Sequence, residues 1–306
     1  MLFRSVACIW SAARRAVAVV LAMGAAWVAM WHAQLHTADG FGRAASDVAW
    51  SSPTVARLRQ AVDRDHRLAT AASLRHADRG GTADVRVVGA YEPALSLLAT
   101  RYGNLLAGRP ADGHAVNFQV RRPSAWLDRL AVSHLLAPAQ DASVGASFRG
   151  WRRIAELDAG LALWQHPSPR ARIEVPGRIL VEPDPRAAVL RLAELQADTV
   201  LLSTALPHTP GARTRWQVTQ DRAQVLELDI DTDQPVVLVV RDAADAGWHA
   251  SLDGRDASWS LCDGLFQAVA VPDGHHQLSW TFHAPGLRSG AWLSLAAWSG
   301  LAVAAW

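Results

Sequence analysis

Two long apolar stretches, one near each end of the chain, constrain its fold more than any other feature. Residues 16–35 and residues 289–306 contain no Asp, Glu, Lys or Arg. A helix of about 20 residues spans roughly 30 Å, the thickness of the hydrocarbon core of a bilayer. The sequence therefore predicts one transmembrane helix at each end, with a folded region of the chain between them.

The arginines around the first stretch predict its orientation. Arg4, Arg14 and Arg15 precede it, and no Lys or Arg follows until Arg43. Because positive charge is retained on the cytoplasmic side, the region between the two stretches is expected outside the cytoplasm. The alternatives are a cleaved signal peptide at the first stretch and a buried helix at the second. The first stretch is long for a signal peptide, and the second offers no polar face to water.

Composition indicates a folded protein, and its cysteines give no sign of a metal or cofactor site. Half of the 306 residues are apolar, about a fifth are charged, and the net charge is +2. No basic stripe is present, so we expect no nucleic-acid partner. Cys8 and Cys262 are far apart and have no metal-ligand spacing, so the sequence predicts no disulfide framework, metal or cofactor.

Residues 37–206 mix helical and strand patterns. Predicted helices begin at Ser52-Pro53 and at Asp184-Pro185, the second running through Gln196. In each, Ser or Asp can cap the helix and Pro suits its first turn. The remaining predictions are helices over Pro93–Leu106 and Ala125–Leu130, strands over Asp84–Ala90, Ser133–Ala137 and Asp198–Thr204, a hairpin over Ile154–Gln165, and a loop over 139–150. This region is expected to form a mixed α/β domain.

After the linker at residues 206–211, apolar residues alternate with polar ones, as in strands. Val236–Val240 is an unbroken apolar run, typical of a central strand. Asp-Gly pairs occur at 253–254, 263–264 and 273–274, and Asp-Gly between alternating runs is a strong hairpin signal. Residues 207–286 are therefore predicted to form a small antiparallel β-sandwich.

These patterns predict an α+β fold with one transmembrane helix at each end. The expected parts are an N-terminal transmembrane helix (1–36), a mixed α/β domain (37–206), a β-sandwich (207–286) and a C-terminal transmembrane helix (287–306).

Six motifs follow one another in order in the last part of the chain: Val236–Val240, Gly247-Trp248, Asp253-Gly254, Phe266–Val269, Pro272-Asp273-Gly274-His275-His276 and Trp280–Phe282. In this order they resemble the YfhO-like family of bacterial membrane proteins. Weaker similarities precede them in residues 51–70, 127–138 and 154–173. The order of the pieces, and not any single piece, supports the resemblance.

The resemblance implies a place in sugar transfer at a bacterial plasma membrane. Members of the family resemble GT-C glycosyltransferases, which move a sugar from a polyprenyl-phosphate carrier to an acceptor outside the cytoplasm. In such enzymes the catalytic acidic residues lie in loops of a multi-helix membrane core. This chain begins at what resembles the last helix of that core, so no catalytic residue is carried over, and we do not expect the chain to be active alone.

Histidine and aspartate side chains near the C-terminus are the first candidates for a ligand site. His275 and His276 could bind a metal, but neighbours on a strand point to opposite faces. A second set could hold a cation or a sugar, although its turn positions have a structural explanation: Asp245, Asp253, Asp256 and Asp263.

Tryptophans and arginines are the next candidates. The tryptophans that could stack on sugar rings are Trp216, Trp248, Trp259 and Trp280, of which Trp248 and Trp280 fall on apolar strand faces. The arginine pairs that could meet lipid phosphates or an anionic polymer are Arg121-Arg122 and Arg152-Arg153, with solvated arginines as the simpler interpretation. Ser203, His208 and Asp198 are not predicted to form a triad, because no nucleophile elbow surrounds the serine.

Two functional hypotheses follow. In the first, the chain is an accessory or truncated extracytoplasmic part of a YfhO-like glycosyltransferase system, with membrane lipid and a separately encoded polytopic protein as partners. In the second, it is a membrane-tethered module that binds an envelope glycan or serves a structural role, without catalysis.

Overall fold

Three β-sheets organise the protein, whose computed structural model describes residues 51–71, 85–88, 96–113, 120–222 and 224–305. The predicted N-terminal transmembrane helix over 16–35 lies outside these residues. Residues 48–283 group into one compact unit, and the C-terminal residues from Ala284 onward belong to another.

The first sheet, here the N-terminal sheet, has five strands in the spatial order β2 (Val87–Val88), β1 (Arg67–Thr70), β3 (Val132–Pro138), β5 (Leu161–Gln165) and β4 (Arg152–Leu157). Strand β1 is parallel to both β2 and β3, whereas β3, β5 and β4 are antiparallel. Strands β4 and β5 form the predicted hairpin, with a 3₁₀ turn at Asp158–Gly160. The hairpin prediction is confirmed.

The second sheet is the centre of the unit. Its six strands are, in spatial order, β6 (Ile173–Glu174), β11 (Val236–Val240), β15 (Phe266–Val271), β14 (Trp259–Cys262), β8 (Thr199–Leu202) and β7 (Arg178–Val181). All five residues of β11 are buried, which confirms the predicted central strand. This sheet contains strands from both sides of residue 206, the predicted end of the mixed α/β domain.

The third sheet, here the C-terminal sheet, is wholly antiparallel. Its strands are, in spatial order, β13 (Arg255–Ala257), β12 (Trp248–Leu252), β16 (Gly274–Phe282), β10 (Val225–Thr232) and β9 (Thr214–Arg222). Alternating residues of β10, among them Leu226 and Ile230, share one hydrophobic cluster with Val236 and Leu238 of the central sheet. The other face of β11 contributes Val237 to a second cluster with the N-terminal sheet.

The three Asp-Gly pairs differ in what they connect. Asp253-Gly254 joins β12 to β13, and Asp263-Gly264 lies between β14 and β15. Both residues of each pair have positive φ, from 52° to 76°, as type I′ hairpin turns require. These two predictions are confirmed.

The hairpin predicted at Asp273-Gly274 is wrong. Val271 pairs with Val236 in the central sheet, whereas Gly274 pairs with Thr232 in the C-terminal sheet. The chain therefore crosses from one sheet to the other at this point. Pro272 lies between them and has no N–H to continue a ladder, which favours the break.

Helices cover parts of the first two sheets. Their bounds are α1 (Ser52–Ala61), α2 (Leu97–Leu106), α3 (Ala125–Asp128), α4 (Ala142–Ser147) and α5 (Pro185–Arg191). Asp184 caps α5 by accepting from the Arg186 N–H at 2.9 Å, as predicted. The cap of α1 is Ser51 and not Ser52, because Ser51 Oγ accepts the Thr54 N–H.

Two helix predictions need correction at their ends, and one loop prediction is wrong. Helix α2 begins at Leu97 behind a Ser96 cap, and residues 93–95 lie outside the described part of the chain. Helix α5 ends at Arg191 and continues as a 3₁₀ turn, Leu192–Glu194, so it stops short of the predicted Gln196. Helix α4 falls inside the predicted loop at 139–150, where Asp141 accepts the Ser143 N–H and caps it.

The C-terminal residues form helix α6 (Leu287–Ala305), 19 residues long. Across the described ranges of the chain, no helix combines the length and apolarity needed to cross a membrane. The helix predicted at this end is present, and its role as a transmembrane span stays a prediction. Trp292, Leu293 and Trp298 are each at least 70% exposed.

Candidate functional site

A cleft of about 370 Å³ opens where the chain leaves the C-terminal sheet for the central sheet. It is lined by a single short part of the chain: Trp248, His249, Ala250, Asp256, Ala257, Ser258 and Trp259. Small-molecule sites in proteins have volumes of roughly 300–1,000 Å³, so the cleft suits a small ligand.

The strand connections explain how these residues meet. Strands β12 and β13 pair through the Asp253-Gly254 turn, with Ala250 opposite Ala257. The chain then passes Ser258 and enters β14 of the central sheet at Trp259. Residues eleven positions apart in sequence therefore line the same cleft at the edge of the two sheets.

Packing holds the two tryptophans in place. Both are half-buried against the hydrophobic cluster that the central and C-terminal sheets share. The Trp248 ring meets the Phe282 ring edge-on, with centroids 5.3 Å apart and planes at 60°. Gly247 leaves room for the Phe282 ring, since a Cβ there would lie 2.5 Å from Cε2 of that ring.

The polar side chains of the cleft present hydrogen-bonding groups to solvent. His249 Nδ1–H donates to the Gly247 carbonyl at 2.9 Å, which leaves Nε2 as an acceptor in the neutral ring. Asp256 is exposed, and within the described part of the chain its carboxylate makes no hydrogen bond or ion pair. The cleft thus combines aromatic surface with acceptors for hydroxyl or ammonium groups.

Apart from the cleft, buried ion pairs join the three sheets. Asp242, which follows β11, accepts from Arg172 at 2.5 Å and from Arg67 of β1 at 2.6 Å. Arg172 also binds Asp221 of β9 at 3.0 Å, and Arg86 pairs with the same carboxylate. Although burial alone would raise it, the bonds from Arg172 and the charge of Arg67 hold the pKa of Asp242 at about 2.

A second buried group surrounds the turn at Asp263. This carboxylate is fully buried and meets Arg129 at 3.1 Å and Arg241 at 3.4 Å. It also accepts the Leu201 N–H at 2.9 Å, and Arg241 continues to Glu174 at 2.5 Å. Because each of these buried charges has a partner, the group is best understood as structural.

The sequence patterns do not predict most of these charged residues. Only Asp263 appears among the candidates from the sequence, as a turn residue, and its positive φ confirms that interpretation. One local signal was available: Arg241-Asp242 directly follows an all-apolar buried strand, where charges need partners.

Three of the other predicted side chains, Asp253, His276 and Asp245, have structural partners. Asp253 accepts the Gln277 N–H at 2.8 Å and binds His276 Nδ1 at 2.7 Å, which raises the pKa of His276. Asp245 caps the turn before β12 by accepting the Gly247 N–H. Among the described residues, no group of three or more His, Cys, Asp or Glu side chains has metal-binding geometry.

The serine, histidine and aspartate at 203, 208 and 198 are not brought together as a triad. Ser203 Oγ lies 3.1 Å from Ser260 Oγ, and His208 Nδ1 accepts the Val237 N–H. Asp198 Oδ1 accepts from the Thr199 hydroxyl.

The remaining candidates are dispersed. Trp280 is buried in the core, and Trp216 is 36% exposed on β9, away from the cleft residues. Arg152 donates to Gln165 and Arg153 pairs with Glu156, both at the surface. Arg121 and Arg122 are exposed, and Arg121 lines a separate cavity of about 340 Å³.

Residues 205–294 match the model of the family described as "Bacterial membrane protein YfhO". This stretch runs from the linker before β9 through all of the C-terminal sheet and into α6, and it includes the cleft. Over this stretch the chain is similar to that family, and the resemblance drawn from its motifs is confirmed. Neither a curated protein nor a solved structure matches the chain significantly.

Proposed function

We propose that the chain is the membrane-anchored, extracytoplasmic part of a YfhO-like glycosyltransferase system. In this role it supports the transfer of a sugar from a polyprenyl-phosphate donor to a cell-envelope acceptor. The family match over residues 205–294 carries the proposal. The cleft adds support, because its tryptophans and acceptor groups lie inside the matched stretch.

Catalysis in this proposal belongs to a separate polytopic partner. The described residues offer no triad, and their buried carboxylates are already paired with arginines. The central and C-terminal sheets, which we infer to be the predicted β-sandwich, would present the cleft on the acceptor side of that partner. The chain would hold or orient the acceptor and leave bond formation to the membrane core.

Anchoring rests on the two apolar ends of the chain. In helix α6, Trp292, Leu293 and Trp298 expose apolar surface that is costly to leave in water, at about 25 cal/mol per Å². We propose that membrane lipid covers this surface, and that residues 16–35 supply a second anchor with the main unit outside the cytoplasm.

Cysteine labelling tests this location. Cys262 is buried, and burial raises the pKa of its thiol, so it is expected to be unreactive. In a Cys8→Ser background, Arg255→Cys places one thiol on the exposed strand β13. A membrane-impermeant maleimide is expected to label this variant in intact spheroplasts. Labelling that requires prior permeabilisation would place the unit in the cytoplasm and contradict the proposal; the parent without Arg255→Cys is the control.

A second candidate is a membrane-tethered glycan-binding module with no part in transfer. The cleft is the observation that favours it, because Trp248 and Trp259 flank hydrogen-bonding groups without any catalytic arrangement. The two candidates differ in whether sugar transfer in membranes depends on the chain.

A further inference from the structure

We propose that the cleft between β12 and β14 binds one pyranose ring of a neutral or amino sugar. The inference rests on the proposed function and names the class of ligand that the cleft takes. Nothing in the family match itself assigns a ligand to these residues.

The aromatic residues argue for a sugar ring. A pyranose has one face of C–H bonds with small positive partial charges, which complements the negative face of an indole ring. Trp248 and Trp259 are half-buried, so their rings are held by the core while part of each faces the cleft. Their rigidity lowers the entropy lost when a flat ligand stacks on them.

The polar residues argue for hydroxyl or ammonium groups on that ring. The acceptors around the cleft are the Asp256 carboxylate and, in the neutral ring, His249 Nε2. No Arg or Lys is among the described residues that line the cleft. An unpaired carboxylate there attracts an amino sugar and repels a uronate or a sugar phosphate.

The volume argues for one ring and not for a long chain in the cleft. At about 370 Å³ the cleft lies near the lower limit of small-molecule sites, roughly 300 Å³. Because it opens at the edge of the two sheets, neighbouring rings of a glycan can extend into solvent.

Binding of simple glycosides to the purified full chain tests the inference. The detergent must carry no sugar head group, because a maltoside would compete for the cleft. The probes are the methyl hexopyranosides of the gluco, galacto and manno series, methyl glucosaminide, and methyl glucuronide, measured by saturation-transfer difference NMR. We expect at least one neutral glycoside or the glucosaminide to bind, and the glucuronide to bind about tenfold more weakly or not at all.

Matched variants locate the binding. Trp259→Ala is expected to weaken binding about tenfold, whereas Trp216→Ala, which removes an exposed tryptophan of β9, is expected to leave it unchanged. Asp256→Asn changes only an exposed side chain and is expected to remove the discrimination against the glucuronide. That variant keeps the test valid if Trp259→Ala folds poorly.

The inference is overturned if no neutral or amino glycoside binds the wild-type chain, or if Trp216→Ala and Trp259→Ala weaken binding equally. It is also overturned if the glucuronide binds the wild-type chain best. Its failure is distinguishable from that of the proposed function. If no glycoside binds but sugar transfer in membranes still depends on the chain, only this inference is overturned. If glycosides bind as expected but sugar transfer does not depend on the chain, only the transfer proposal is overturned.

Discussion

Asp263→Asn is expected to lower the free energy of unfolding by about 3–5 kcal/mol. Asparagine keeps the positive φ of the turn and can still accept the Leu201 N–H. It removes the negative charge that Arg129 and Arg241 share, and both guanidinium groups are buried. Arg241 keeps Glu174, so the cost is mainly that of leaving Arg129 buried without the carboxylate that it meets, and urea unfolding of the purified chain measures it.

Asp253→Asn is the matched control for this prediction. Asp253 has the same position in an Asp-Gly turn, with φ 53° against 52° for Asp263, but it is exposed. Its substitution is expected to leave the unfolding midpoint almost unchanged. If both variants lose the same free energy of unfolding, the loss in Asp263→Asn comes from the turn and not from the buried charges.

Gly264→Ala is expected to destabilise the protein by about 2–5 kcal/mol. Part of the loss, about 1–2 kcal/mol, comes from placing a Cβ at φ 70°. The rest, about 1–3 kcal/mol, comes from overpacking, because that Cβ would lie 2.6 Å from the Pro185 carbonyl oxygen and against Val189. Helix α5 would have to move away from the turn to admit it.

Gly254→Ala separates these two contributions. Gly254 has φ 76°, and a Cβ there meets no atom within 4 Å. Its substitution is expected to cost only the backbone strain, about 1–2 kcal/mol. If urea unfolding shows that Gly264→Ala lowers the free energy of unfolding no more than Gly254→Ala does, helix α5 does not lie as close to the turn as the structure places it.

Local patterns in the sequence predicted the elements whose physics is local. The hairpin over 154–165, the cap at Asp184 and the two type I′ turns depend on neighbouring residues only. The buried run of β11 was also predictable, because a strand covered on both faces can stay apolar at five consecutive positions. The hairpin prediction at the third Asp-Gly pair is wrong, because the same dipeptide can connect two sheets when the strands on either side pair with other strands.

Long-range contacts explain what the sequence did not predict. The pair of Arg67 and Asp242 joins residues 175 positions apart, so no local pattern indicates it. Within the cleft, Trp248, Trp259 and Asp256 were each candidates, but their convergence depends on the crossing from β13 to β14. The apolar strand face of Trp248 favours core packing, whereas in the structure Trp248 is half-buried and lines the cleft.

The most direct test of the account is sugar transfer in native membranes with and without this chain. Membranes from the natural host are supplied with a polyprenyl-phosphate donor carrying a radiolabelled sugar, and label in envelope material is counted. The account predicts that deleting the chain lowers incorporation, that the wild-type chain restores it, and that the purified chain alone transfers nothing. Incorporation that is unchanged by the deletion would contradict a role in transfer, and transfer by the purified chain alone would contradict the assignment of catalysis to a partner.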